Sequence, residues 1–251
     1  ELRETVASVL VPVLRATERA AELVEVLEMR LTVETDPAVR AETLRSIAEL
    51  QESPLRDPSG ALGAQLRAMA ERPEDDQIHQ DVERLAQATG AWGRVADALT
   101  DRAQGVFEPS LVRDLNVRLG RIAEERLNDD ARAIRAYVHA VEQAGDDPDL
   151  LAALDRLYER VGDRQALADV IERRAGVASD PNAEAELLFR LASLQIREFG
   201  DPASGLGSLR AALERNPGHA LATQELERLA KREDLFEEAS EVLERVYRMQ
   251  G

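Results

Sequence analysis

A chain of 251 residues that is 44% apolar can bury a continuous core, yet only 3% of it is aromatic, and Ala, Leu, Glu and Arg dominate. These are helix formers that fill thin helical layers better than a single-centred core. The net charge of −17 argues against nucleic acid and anionic membrane surfaces and is compatible with a basic partner or simply with solubility. The absence of Cys removes disulfides, thiol nucleophiles and Cys-zinc sites.

Taken in order, the apolar periodicity predicts helices at about residues 2–16, 20–33, 37–52, 58–71, 76–88, 92–104, 109–127, 130–143, 148–161, 164–176, 181–198, 202–214, 218–231 and 235–249. The longest apolar run, Val6–Leu14, contains Ser8 and Pro12 and is too short to span a bilayer. The chain opens at Glu1 in a helical pattern and stops at Gly251 partway through a repeat, so it is expected to be a piece of a longer, bacterial protein. The second block shows the layout best. Pro109 opens a helix at its favoured first turn, and Asn128-Asp129-Asp130 turns the chain and caps the next. That next helix carries Ala133, Ile134, Tyr137, Val138 and Val141 on one face. Gly145-Asp146-Asp147-Pro148 breaks it, and Gly162-Asp163 makes a shorter turn further on. Nothing alternates with period two over a useful length, so no sheet is expected.

These patterns repeat at a fixed spacing of 72 residues, so that blocks 10–81, 82–153, 154–225 and 226–251 align without a gap. Pro37, Pro109 and Pro181, each preceded by an acid, coincide; so do Asp57, Asp129 and Asp201, and Ala68, Ala140 and Ala212. Each block holds two unlike helical hairpins of about 36 residues. The expected architecture is one continuous stack over residues 1–251 in which each unit contacts its neighbours.

The hairpins resemble tetratricopeptide repeats (TPR). Leu119-Gly120 fit the family's Leu-small pair, Ala133 and Tyr137 its Ala-x3-aromatic element, and Ala140 its later Ala. Leu191-Ala192, Gly205, Leu209, Ala212 and Pro217 occupy the same columns one block on; Ile47-Ala48, Ala61, Gln65, Ala68 and Pro73 occupy them one block earlier. The second hairpin type carries Leu151, Leu154, Tyr158 and Gly162 at first-helix spacing, with Trp92 and Phe236 just after the turn. No unit holds every signature residue, and Gly120 to Ala133 is one residue longer than the family spacing. The resemblance implies an all-α, right-handed superhelical solenoid of about seven antiparallel hairpins. It also implies a non-catalytic scaffold that binds a protein or peptide in its concave groove.

Each motif with a chemical reading also has a structural one. His79, His139 and His219 lack a second His or Cys at ligand spacing and read as solvated or groove-edge residues. The pairs Asp75-Asp76, Asp129-Asp130 and Asp146-Asp147 precede helices, where carboxylates cap free N–H groups. The Gly200–Gly207 stretch lacks the Lys-Ser/Thr of a phosphate loop and follows a helix. Trp92 shares its column with Phe236 and reads as packing. No nucleophile-base pair, metal set or cofactor motif is legible, and no cofactor is expected.

What remains is a set of candidate groove residues. Arg84, Arg156 and Arg228 share one column and point away from the core face, so the resemblance places them along the groove as a ladder for carboxylates. The alternative is a lattice of ion pairs with Glu83, Asp155, Glu159 and Glu227. On the other hairpin type the inward positions are Arg45 and Glu49, Val117 and Arg121, and Phe189 and Ser193. Val117 and Phe189 offer apolar anchors. Two other functions stay open: a structural spacer with end-to-end self-association, and a chaperone-like binder of exported proteins. The sequence leaves the compartment undecided between cytoplasm and periplasm.

Overall fold

The computed structural model describes residues 10–250, and all of its regular structure there is helical. The helices are α1 (residues 10–16), α2 (Ala20–Leu31), α3 (Pro37–Glu52), α4 (Pro58–Glu71), α5 (Asp76–Thr89), α6 (Trp92–Gln104), α7 (Pro109–Ile122), α8 (Asp130–Ala144), α9 (Pro148–Val161), α10 (Arg164–Val177), α11 (Pro181–Arg197), α12 (Pro202–Arg215), α13 (Ala220–Leu229) and α14 (Phe236–Gln250). All the expected helices are present, most within a residue or two of their expected ends. The start of the first falls outside the described residues. The helix expected over 109–127 instead ends at Ile122 and continues as a π-helical turn, Ala123–Leu127.

The described residues form two compact units, one ending at Asp129 and the other beginning at Asp130. In the first, each helix packs on its sequence neighbours: α2 on α3, α3 on α4, α4 on α5, α5 on α6 and α6 on α7. The second repeats this from α8 to α14. Its core divides into local clusters. Leu167, Ala168, Ile171 and Ala175 of α10 meet Leu187 and Leu191 of α11. Ala192, Leu206, Leu209 and Leu213 join Ala222, Leu226, Leu235, Ala239, Val242 and Val246 further on.

The repeat spacing is visible atom by atom at the turns. Backbone in the left-handed region recurs at Glu18, Gly90 and Gly162, and again at Arg56, Asn128 and Gly200, two columns each spaced by 72 residues. The helix ends are chemically built as well. Asp36, Asp75, Asp147 and Asp180 each accept from two backbone N–H groups at helix starts. Asp57 and Asp201 accept from Gly60 and Ser204, so the Gly200–Gly207 stretch is a capped helix start. Glu108 stands in the column of Asp36 and Asp180 but does not cap; its carboxylate accepts from the Ser110 hydroxyl. The other members of the acid pairs, Asp76, Asp130 and Asp146, make ion pairs with Arg118, Arg160 and Arg173.

Small residues set helix-to-helix distance. Ala61, Ala68, Ala133, Ala140, Ala192 and Ala212 are all fully buried. A methyl group built on Gly205 would lie 2.3 Å from Ile196 Cγ1. Gly205 therefore stands where Ala61 and Ala133 stand elsewhere because Ile196 occupies the space beside it.

One cross-hairpin ion pair changes its hand between the units. Arg40 on α3 binds Glu71 on α4 at 2.6 Å, while Glu184 on α11 binds Arg215 on α12 at 2.8 Å. Positions 40 and 184 share a column, as do 71 and 215, and the intervening block has Val112 and Gln143 there.

Arg56 holds φ +53 without being Gly, whereas Gly200 occupies its column. A left-handed L-residue costs about 1–2 kcal/mol, so Arg56→Gly is expected to stabilise the chain by about 1 kcal/mol. A raised urea midpoint at unchanged m-value would show this; a lowered midpoint would refute it.

Candidate partner-binding face

The first helices of successive hairpins carry the candidate residues: Arg45 on α3, Arg84 on α5, Val117 and Arg121 on α7, Arg156 on α9, Phe189 on α11 and Arg228 on α13. In the first unit α3, α5 and α7 are joined side by side through charge. Arg84 reaches back to Glu52 with both terminal nitrogens and also to Asp81. The pair holds Glu52 below the usual carboxylate range and raises Arg84, chiefly through the hydrogen bonds between them. Arg121 donates to Glu83 at 2.7 Å, and Arg45 pairs with Glu42 of its own helix at 3.5 Å. In the second unit Arg156 is exposed and reaches the Ala152 carbonyl at 3.3 Å. Arg228, with 68% of its side chain exposed, pairs with Glu225 on its own helix. Ile196 explains this: it fills the column of Glu52, so Arg228 has no carboxylate where Arg84 has one. Val117 is half-buried. Phe189 is half-buried too, stacked on the His219 ring at a centroid distance of 5.1 Å.

The acids expected to answer this arginine column bind other groups. Asp155, 3% exposed, receives Arg174 of α10 and both terminal nitrogens of Arg190 of α11. Glu83 receives Arg118 as well as Arg121, and Glu227 accepts from the Tyr247 hydroxyl at 2.5 Å. Besides Arg84–Glu52, hairpin is tied to hairpin through the acid column at Glu83 and Asp155, and its partners Arg118 and Arg190 themselves lie 72 residues apart. That second coincidence was readable in the sequence and was the missed signal.

Two of the three histidines, His79 and His219, differ from their expected solvated or groove-edge roles. His79 is buried, with Nε2 at 2.8 Å from the Pro73 carbonyl. It lines a cleft of ≈ 190 Å³ with Asp76, Glu108, Leu115 and Arg118. Burial is the main cause pushing its pKa below 6.5. His219 stands in the column of Asp75 and Asp147 and does their work: Nδ1 accepts from the Ala222 N–H, and Nε2 faces Glu186 at 3.1 Å. His139 is an exposed partner of Glu142.

Each unit also carries the same small cleft beside a hairpin turn. In the first, ≈ 320 Å³ is bounded by Trp92, Arg121, Ile122, Glu125 and Arg126, with the Arg126 guanidinium 5.0 Å above the Trp92 ring. In the second, ≈ 250 Å³ is bounded by Arg164, Ser193, Leu194, Arg197 and Glu198, the same positions 72 residues on. Among the described residues no group of three or more His, Cys, Asp or Glu is arranged to hold a metal ion. None of the helices there is long and apolar enough to cross a membrane.

The columns chosen for the family resemblance are buried as that repeat requires: Ala133, Tyr137 and Ala140 in one block, Ala192, Leu209 and Ala212 in the next. The fold is a tetratricopeptide-like helical repeat. No protein-family model matches the chain, and no curated protein does. Similar solved structures include YrrB, described as a TPR protein with an unusual peptide-binding site. It is 16% identical, covers 74% of this chain and 91% of its own, and has a TM-score of 0.40. The C-terminal part of a TPR repeat-containing protein from Cytophaga hutchinsonii is 10% identical, with 85% and 84% coverage and a TM-score of 0.40. The TPR2AB domain of yeast Sti1, in complex with pHSP90, is 14% identical, with 94% and 83% coverage and a TM-score of 0.32. At this level of likeness the description of the fold rests on the chain's own helices and buried columns.

Two outcomes follow. Asp155→Ala removes the buried carboxylate shared by Arg174 and Arg190 and is expected to cost about 1–3 kcal/mol, whereas Arg84→Ala removes an exposed pair and costs at most about 1 kcal/mol; chemical denaturation of both variants compares them. His79 has a folded pKa below its unfolded value, so the unfolded chain binds more protons as pH falls through 6.5. Stability should therefore drop on acidification below that pH. Part of the drop should vanish in His79→Leu, which installs the residue of its column-mate Leu151; identical pH profiles for the two proteins would refute this.

Proposed function

We propose that this chain is a non-catalytic protein-interaction scaffold that holds a segment of a partner protein against its first-helix face. The observation that carries the reading is the division of labour among columns. Acids and small residues at repeating positions are consumed in joining hairpins, whereas the non-repeating positions at 45, 117 and 189 present Arg, Val and Phe. A face whose fixed positions build the stack and whose variable positions differ in charge and polarity is suited to selecting one partner sequence. Arg228 adds a guanidinium group, 68% of its side chain exposed, able to take a carboxylate, and Phe189 and Val117 supply apolar contact. The net charge of −17 favours basic partners during encounter. Arg84 supports a second reading, that of a spacer, because its guanidinium is committed to Glu52 of the preceding first helix.

Affinity capture separates the two readings. The chain and a variant carrying Arg84→Ala, Arg156→Ala and Arg228→Ala are compared, with photo-cross-linking from positions 117 and 189. Scaffold binding is expected to give a discrete cross-linked partner whose capture falls in the variant while its circular dichroism melt is preserved. Unchanged capture would remove the arginine column from the binding face. No cross-linked partner together with a lowered melt would support the spacer.

A further inference from the structure

The internal repeat acts as its own control, and it singles out the turn between α6 and α7. Three turns occupy this place in successive blocks: Val33-Glu34-Thr35-Asp36 before α3, Gly105-Val106-Phe107-Glu108 before α7 and Val177-Ala178-Ser179-Asp180 before α11. The first is held by its own side chains. Glu34 accepts from the backbone N–H groups of Thr35 and Asp36, and Asp36 accepts from those of Ala38 and Val39. The third keeps a small hydroxyl residue and an aspartate cap, which accepts from Asn182 and Ala183. The middle turn gives up each of these. Val106 stands in the column of Glu34, Phe107 in that of Thr35 and Ser179, and Glu108 in that of Asp36 and Asp180, where it makes no bond to the helix start.

Phe107 is 95% exposed. A single exposed apolar side chain is ordinary on a protein surface. Here it comes with a lost cap and a lost turn acceptor at the neighbouring positions, and the same turn is built twice without it. Local stability given up for a solvent-facing aromatic marks a contact made outside the fold.

The surroundings set the charge of whatever covers it. The cleft that begins at Glu108 is lined by Leu111 and Leu115 and by the carboxylates of Glu74, Glu108 and Asp114. Its one arginine, Arg118, is answered by Asp76 and Glu83. His79 stands where Leu151 does one block on; burial lowers its pKa, so it adds no charge at neutral pH. Glu108 takes the Ser110 hydroxyl at 2.8 Å, and Asp114 has Arg113 at 3.9 Å. The surplus beside Phe107 is therefore negative. It attracts a cationic side chain and repels a second copy of a chain that itself carries −17.

We propose that the α6–α7 turn docks a segment of a partner protein that covers Phe107 with apolar side chains and sets an arginine or lysine against Glu108 and Asp114. The stem of that basic side chain lies along Leu111. The contact uses none of positions 45, 117 and 189, so it stands or falls apart from the first-helix face.

The probe is a random peptide library displayed on phage, selected on the chain and counter-selected on the double variant Phe107→Thr/Glu108→Asp. That variant carries the Thr35-Asp36 pair of the first block and keeps the carboxylate. Its urea midpoint is expected to rise, while the selected peptides lose about tenfold or more in affinity. Selected sequences should place Arg or Lys beside Leu, Ile, Phe or Trp. Asp114→Arg should weaken them about tenfold, and peptides with Glu in place of the basic residue should regain the loss. Cross-linking from positions 117 and 189 should be the same in the chain and the double variant. No enrichment on the chain over the double variant, selected peptides without a basic residue, or binding indifferent to Asp114→Arg overturns the proposal. A lowered urea midpoint does so too, because Phe107 would then serve the fold. A concentration-dependent dimer in sedimentation, lost in the double variant, would assign the turn to a second copy and overturn it as well.

Discussion

Close approach of helix to helix at columns of alanine and glycine is the constraint from which the rest follows. Ala61, Ala133 and Gly205, with Ala68, Ala140 and Ala212, place almost no volume between neighbouring helices, so packing is local and each hairpin finds its core in its neighbours. With so little bulk available, leucines and the occasional aromatic fill the remaining gaps, which is why so few aromatic residues suffice. Local packing also leaves the ends of helices as the points where geometry must be imposed. The recurrent left-handed turns and aspartate caps do that work.

Much of this was legible beforehand because the physics concerned is short-range. A capping carboxylate, a Pro at the first turn and an apolar residue every three or four positions act within one helix, and the alignment of blocks multiplied each signal. The deviations have equally local causes. The π-helical turn at Ala123–Leu127 leads into the left-handed residue Asn128, and a hydrophobic pattern does not distinguish it from one more α-turn. Glu108 failed to cap because its side chain is one methylene longer than that of Asp36 or Asp180, and its carboxylate is taken by Ser110.

The candidate face was less legible, because side-chain partners across hairpins depend on distances no single helix encodes. Helical phase placed Arg84, Arg156 and Arg228 outward correctly, yet it offered them the acids nearest in sequence. The structure gives Arg84 a carboxylate from another hairpin, and Asp155 arginines from two other helices. His219 shows the same limit: as a histidine it suggested titration chemistry, but its column, shared with Asp75 and Asp147, identifies it as a cap. Reading columns against one another, Glu83 with Arg118 and Asp155 with Arg190, carries more information than reading any residue in isolation.

A chain made of near-copies faces a hazard during folding, since a helix from one copy can pair with the complementary helix of another. The inverted pair at Arg40–Glu71 and Glu184–Arg215 works against that error. If α3 took α12 as its partner, Arg40 would meet Arg215; if α11 took α4, Glu184 would meet Glu71. Each wrong assembly sets like charges at a half-buried contact, and each right one sets opposites. Between the two, Val112 and Gln143 carry no charge and give that block a third identity. Two ion pairs of modest individual strength thus act as proofreading marks, letting three copies of one architecture assemble in a single order.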